Sequence, residues 1–166
     1  MSSDHIEKKI FIKAPRSRVW RALSVPEEFG HWFGGRFEAK VFEPGARIRV
    51  QHAPTQVDPE VAAMQEKALA EVKDKSWEMA IDRVIPERLF SFRWHPFAID
   101  PKIDYSKEPT TLIEFTLEDA PGGTMLTVVE SGFDKVPLER RLKAFEANAQ
   151  GWGLVVKLIE KYATAS

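Results

Sequence analysis

A chain of 166 residues with 24 basic and 25 acidic side chains is nearly neutral overall, which argues against nucleic acid as a partner. The absence of cysteine excludes disulfides, thiolate nucleophiles and cysteine-bound metal centres. There is no apolar leader and no run of about 18 apolar residues, so the sequence predicts one soluble, cytoplasmic domain over 1–166 without membrane insertion.

The first elements predicted along the chain are a strand and two short helices. The strand carries isoleucines on one face and ends before Pro15. Because proline suits the first helical position, the first helix is predicted over Pro15–Val25. Ser24 and Glu27 have the spacing of a capping box, which predicts the start of the second helix, and a glycine pair at 34–35 ends it.

From Arg36 onward, alternation with a period of two predicts a continuous antiparallel meander. A turn at 121–123 joins the last two strands as a hairpin. The positions predicted to face inward are Ile48, Val50, His52, Trp77, Met79, Ile81, Phe90, Phe92, Trp94, Thr111, Ile113, Phe115, Leu117, Leu126, Val128 and Glu130.

A long amphipathic helix is predicted to begin near Pro137 and to run to the end of the chain. About 25 residues at 1.5 Å each span roughly 38 Å, enough to cross a whole sheet. The predicted fold is therefore α+β of the helix-grip type, a curved antiparallel sheet around the last helix. The predicted buried stripe is Leu138, Leu142, Phe145, Ala149, Trp152, Val156 and Ile159.

Two stretches, 53–74 and 95–109, interrupt this plan as insertions. The first contains a predicted helix with Asp58 as its N-cap. The second contains three prolines, which disfavour regular structure. We expect both at an end of the sheet, either as lids over a binding site or as surface decoration.

Five stretches in chain order resemble a known family. They are IKAPRSRVWRAL, PEEFGHWF, PERLFSFRW, TTLIEFTLEDAPGGTMLTVVESGF, and the ERR of the last helix with Phe145, Asn148 and Gly151-Trp152. Together they resemble the branch of the START/Bet v 1-like (SRPBCC) superfamily that is named after the activator of Hsp90 ATPase. The resemblance implies a helix-grip fold with an internal pocket. It implies no single activity, because the superfamily includes lipid carriers, co-chaperone domains and polyketide cyclases.

Motifs for catalysis, cofactors or metals are absent from the sequence. HExxH, GxSxG, GxGxxG and Walker patterns are all missing, and the four histidines are too scattered to predict a metal site. The sequence therefore predicts no metal and no cofactor, and it assigns no catalytic residue.

Glu130 is the most informative polar residue, since it continues the inward face of Leu126 and Val128. An unpaired carboxylate there would be costly. Three interpretations follow: a hydrogen bond to the start of the last helix or to a nearby arginine, contact with a ligand, or acid–base chemistry.

The predicted ligand-binding residues combine the inner face of the sheet with the last helix. They are His52, Trp77, Met79, Phe90, Phe92, Trp94, Phe115, Glu130, Phe145 and Trp152. Their rings could simply fill the core, or some could line a void if they do not all reach the helix. Gly151, next to Trp152, favours close helix–strand contact, with a pocket wall as the alternative.

The function predicted from these features is binding of a small hydrophobic or amphipathic molecule between the sheet and the last helix. One alternative is a cyclase, dehydratase or hydrolase with Glu130 or His52 as general base. The other is a co-chaperone-like protein that binds an Hsp90-type partner, which only the resemblance implies.

Overall fold

The computed structural model describes residues 5–165, so the two ends of the predicted domain, 1–4 and 166, lie outside the described residues. The strands are β1 His5–Ile12, β2 Arg36–Phe37, β3 Arg47–Gln51, β4 Ser76–Ile85, β5 Leu89–Trp94, β6 Thr111–Ala120 and β7 Gly123–Ser131. The helices are α1 Arg16–Ser24, α2 Pro26–Phe33, α3 Pro59–Ala68 and α4 Leu138–Thr164, with single 3-10 turns at Ala70–Val72, Tyr105–Lys107 and Phe133–Lys135.

The seven strands form one antiparallel sheet in the order β1-β7-β6-β5-β4-β3-β2. Ala120 pairs with Gly123 across a two-residue turn, and Gly122 there has a φ of 83° that glycine adopts without strain. The predicted meander and its last hairpin are therefore confirmed.

The long helix α4 packs against β1 and against both short helices, α1 and α2. A curved antiparallel sheet with one long C-terminal helix is the helix-grip arrangement, so the predicted α+β fold is confirmed. Among residues 5–165, no helix is both long and apolar enough to cross a bilayer.

The space between the sheet and the helices is filled largely from α2. The ring of Phe29 is fully buried and lies 5.9 Å from that of Phe90, 6.3 Å from Phe92 and 6.1 Å from Phe115. Trp32 is also fully buried, and its indole donates to the carbonyl of Ala22. These sheet rings therefore fill the core, because α2 supplies the aromatic side chains that occupy the gap above them.

Two predictions about helix ends are wrong. Helix α2 has extended Val25 as its N-cap and Pro26 at its first position, without a side-chain cap. The predicted capping box fails because Ser24 still belongs to α1, which ends there. In α4, Leu138 and Leu142 are 75% and 63% exposed, so the packed part of the helix begins later. Periodicity specifies one face of a helix, but not the length over which another element covers it.

The segments 53–74 and 95–109 differ in how they are ordered. Asp58 caps α3 as predicted, since its Oδ1 accepts from the backbone N–H groups of Glu60 and Val61 at 2.9 and 3.2 Å. In segment 95–109 the regular structure is limited to the single turn Tyr105–Lys107, as its prolines predicted.

Candidate functional site

A cavity of about 720 Å³ lies where α4 and the first residues of β4 meet the two segments 53–74 and 95–109. This volume is within the range of about 300–1,000 Å³ that is typical of small-molecule sites. Helix α4 contributes Ala147, Asn148, Gly151 and Val155 to the cavity wall. Segment 53–74 and its neighbours contribute Phe33, Gly34, His52, Ala53, Gln65, Ala68, Leu69 and Val72. The strands contribute Arg49, Ser76, Trp77, Glu78 and Trp94. Segment 95–109 contributes Phe97, Ile99, Ile103 and Tyr105 among others, so both segments form walls of the cavity.

Three of the predicted ligand-binding residues, His52, Trp77 and Trp94, line this cavity. The other seven lie outside its wall, in the core or packed against it: Met79, Phe90, Phe92, Phe115, Glu130, Phe145 and Trp152. Ligand contact stays a prediction for the whole set.

Gly151 opens onto the cavity. A Cβ built at this position meets nothing within 4 Å outside its own helix, and the same is true of Gly153. The close helix–strand contact favoured from the sequence is therefore wrong at Gly151. The two glycines differ in position, because Gly151 lines the cavity and Gly153 does not.

Beneath the cavity, the fully buried carboxylate of Glu130 accepts four hydrogen bonds. Oε2 accepts from Trp94 Nε1 at 2.8 Å and from Thr111 Oγ1 at 2.6 Å. Oε1 accepts from Asn148 Nδ2 at 2.9 Å and from Trp152 Nε1 at 2.8 Å. Four donors match the acceptor capacity of an ionised carboxylate.

These partners correct the prediction for Glu130. The expected donors were an arginine or the start of the last helix, yet Asn148 and Trp152 lie in the middle of α4. The carboxylate joins β5, β6, β7 and α4 at one point. Since Trp94 and Asn148 also line the cavity, Glu130 orients part of its wall without lining it.

The inner end of the cavity is aromatic. The Trp77 and Trp94 rings meet edge to face with centroids 5.5 Å apart. Trp94 also lies 5.8 Å from Trp152 and 6.1 Å from Phe33. Such a surface binds apolar or flat aromatic groups well, because it offers large contact area with few rotatable bonds.

Segment 95–109 is fixed to the start of α4 by Arg140. Its Nε and Nη2 donate to Oε1 of Glu108 at 2.9 and 2.6 Å, and Nη1 donates to the carbonyl of Pro96 at 2.8 Å. The guanidinium carbon also lies 4.8 Å from the centre of the Tyr105 ring. In the middle of the segment, the carbonyl of Pro101 accepts from Lys75 Nζ at 2.8 Å. Arg140 therefore holds both ends of this wall of the cavity, and Lys75 holds its middle.

Segment 53–74 is fixed by the amide of Gln65. Its Oε1 accepts from the backbone N–H of Thr55 at 2.7 Å, and its Nε2 donates to the carbonyl of Phe33 at 3.1 Å. The amide thus joins α3 to the end of α2. Sequence reasoning missed Gln65 because α3 has no buried residue that would mark an inward face. It missed the wall residues of segment 95–109 because irregular chain has no periodic pattern from which an inward face can be inferred.

Two ionisable groups of the wall have altered acidity. Partial burial removes water from His52 and lowers the pKa of its imidazole below the ordinary 6.5. Hydrogen bonds from the side chain and then the backbone of Ser106 lower the pKa of the exposed Asp104 carboxyl. Within residues 5–165, no group of three or more histidine or acidic side chains is placed to hold a metal ion.

The chain matches the family model described as "Activator of Hsp90 ATPase homolog 1-like protein" over residues 13–164. A comparison with curated proteins finds no match. Among solved structures, protein MLL2253 from Mesorhizobium loti is similar with a TM-score of 0.68 and 20% identity, covering 98% of each chain.

Two further solved structures share the fold. DynU16, a putative protein in the dynemicin biosynthetic locus, has a TM-score of 0.65 and 22% identity, covering 96% of this chain and 46% of its own. The Aha1 dimer from Colwellia psychrerythraea has a TM-score of 0.64 and 13% identity, covering 94% of this chain and 92% of that chain. At these identities the likeness extends to the fold alone.

Proposed function

The chain belongs to the activator of Hsp90 ATPase homolog 1-like family, and we propose that this member binds a small hydrophobic or amphipathic molecule in the cavity beside α4. The observation that carries the proposal is a cavity of about 720 Å³ with an aromatic inner end and with Gly151 open to it. The helix-grip fold is compatible with such binding, and a largely apolar wall with a few polar groups is typical of small-molecule sites.

The cavity wall supports binding over catalysis. A general base needs a free lone pair within reach of the substrate. Glu130 is fully buried outside the wall, and its four contacts are all donors, so its lone pairs are already engaged. His52 does line the cavity, but among residues 5–165 no side chain orients its imidazole through a hydrogen bond. We therefore assign Glu130 an orienting role and propose no reaction.

The proposal is tested by thermal unfolding with a library of lipids and aromatic metabolites, repeated on Gly151→Leu. A ligand at 100 times its Kd adds about 2.7 kcal/mol to the stability of the protein that binds it. We expect such stabilisation in the wild type and its loss in Gly151→Leu, because the leucine side chain enters the cavity.

Gly153→Leu is the matched control. It places the same side chain two residues along the same helix, also into open space, but outside the cavity wall. It should keep the ligand response of the wild type. The proposal fails if no compound stabilises the wild type, or if a compound stabilises Gly151→Leu as strongly as Gly153→Leu.

Family membership supports a second candidate, binding of a chaperone partner. The observation behind it is the match to a family named for the activation of an Hsp90 ATPase. Co-precipitation with an Hsp90-type ATPase and faster turnover of that ATPase would support it. Absence of co-precipitation together with an unchanged turnover rate would rule it out.

A further inference from the structure

A second, polar cavity of about 360 Å³ adjoins the main one at the ends of β3 and β4. The walls of the two cavities share Arg49, His52, Lys75 and Ser76, so the cavities lie side by side at this point. A ligand that spanned both would have one part in the apolar cavity and another in the polar one.

Positive charge dominates the polar cavity. Four cationic side chains line it, Arg36, Arg49, Lys73 and Lys75, against the single acidic residue Asp74. The whole chain has a formal charge of −1, so this local excess is not a property of the general surface. A concave wall of one sign concentrates small ions of the opposite sign.

These cations lack acidic partners. Among residues 5–165, Arg36, Arg49 and Lys73 make no salt bridge and no side-chain hydrogen bond. Glu78 is the neighbour of Arg49 across β3 and β4, but its carboxylate is bound by Arg47 at 3.0 Å.

Lys75 is bonded to an uncharged group, a backbone carbonyl. Its ammonium donates to the carbonyl of Pro101, which leaves its positive charge uncompensated at the junction of the two cavities. His52, at the same junction, adds an imidazole that can donate a hydrogen bond.

We infer that the ligand of the main cavity is an anionic amphiphile, whose carboxylate or phosphate headgroup is bound in the polar cavity by Arg36, Arg49, Lys73 and Lys75. The apolar part then lies against the tryptophan pair of the main cavity. Guanidinium groups suit this role, because they bind planar carboxylates and phosphates through two parallel hydrogen bonds. This inference rests on the proposed function and adds the chemical class of the ligand.

The test compares four probes that share one twelve-carbon chain: dodecanoate, dodecyl phosphate, dodecanol and dodecyltrimethylammonium. Binding is measured by calorimetry below the micelle concentration of each probe. We expect dodecanoate, dodecyl phosphate or both to bind at least about tenfold tighter than dodecanol, as charge-assisted hydrogen bonds allow. The relative affinities of the two anions distinguish a carboxylate site from a phosphate site.

The double variant Arg36→Gln/Arg49→Gln isolates the headgroup contribution. It should reduce the preference for the anionic probes over dodecanol about tenfold, while the Kd of dodecanol changes less than about twofold. Arg93→Gln is the control, because Arg93 is an exposed arginine on β5 of the same sheet that lines neither cavity and has no ion-pair partner within residues 5–165. It should leave all four affinities unchanged.

Each outcome bears on one of the two proposals. If dodecanol or dodecyltrimethylammonium binds as tightly as the anions, the headgroup inference is wrong and the binding function stands. The inference also fails if Arg93→Gln weakens anion binding as much as the double variant does. If none of the probes binds, the inference is overturned, and the proposed function is then judged by its own screen with Gly151→Leu.

Discussion

Trp152 on α4 donates its indole hydrogen to the Oε1 atom of Glu130 on β7 at 2.8 Å, inside the core. Trp152 is 3% exposed and Glu130 fully buried, so water has little access to this bond. A buried carboxylate of this kind is costly unless donors surround it. Together with Trp94, Thr111 and Asn148, Trp152 supplies those donors and fixes the position of α4 over the sheet.

Glu130→Gln should destabilise the protein by at least about 2 kcal/mol. The new amide NH2 replaces one acceptor oxygen and faces two donors, and buried hydrogen bonds to charged groups contribute about 1.5–3 kcal/mol each. Denaturant unfolding measures the change. Glu118→Gln, an exposed position on β6, is the control and should change stability by less than about 0.5 kcal/mol. Equal stability of both variants would contradict the role assigned to Glu130.

Gly151→Ala should stabilise the protein by roughly 0.5–1 kcal/mol. Alanine is the better helix former, and its Cβ meets only open space. Gly153→Ala should give a similar gain for the same reason, as measured by urea unfolding. If Gly151 instead lay in close contact with a strand, alanine would overpack the core. A loss of about 1–3 kcal/mol of stability in Gly151→Ala would therefore favour close contact.

Arg140→Ala should release segment 95–109 from α4. The side chains of Arg140 and Glu108 are only 12% and 16% exposed, so this ion pair is screened less than a surface pair. We expect trypsin to cleave after Lys102 or Lys107 roughly tenfold faster, because proteolysis follows the population of the open segment.

Lys143→Ala, an exposed change on the same helix, is the control for this experiment. It should leave the cleavage rate unchanged. If trypsin cleaves Arg140→Ala no faster than Lys143→Ala, Arg140 does not hold segment 95–109 closed.

His52 should make the protein less stable in mildly acidic solution. Burial lowers the pKa of its imidazole in the folded state, so below about pH 6.5 the unfolded chain binds more protons. Stability then falls as the pH drops below 6.5, and the loss is complete once the pH is below the folded pKa. His52→Gln should reduce the slope of stability against pH between about pH 7 and pH 5. An unchanged slope, or an NMR titration of His52 above 6.5, would contradict this.

Local patterns in the sequence were reliable where the structure depends on a few neighbouring residues. The alternation in β4, β6 and β7, the two-residue turn before Gly123 and the Asp58 cap of α3 all lie where they were predicted. The predicted capping box at Ser24 did not form. Ser24 is the last residue of α1, and α2 begins at Pro26, which occupies the first helical position.

The sequence by itself therefore determined the main strands and helices, their order, the inward faces of the long strands and the family to which the chain belongs. Only the tertiary structure decided that Phe29 fills the space above the sheet rings, that four donors meet Glu130, and that the cavity opens beside Gly151. The physical reason is the range of the interactions. Periodicity and turn chemistry are set within a few residues, whereas the packing of α2, the sheet and α4 depends on contacts between residues far apart in the chain.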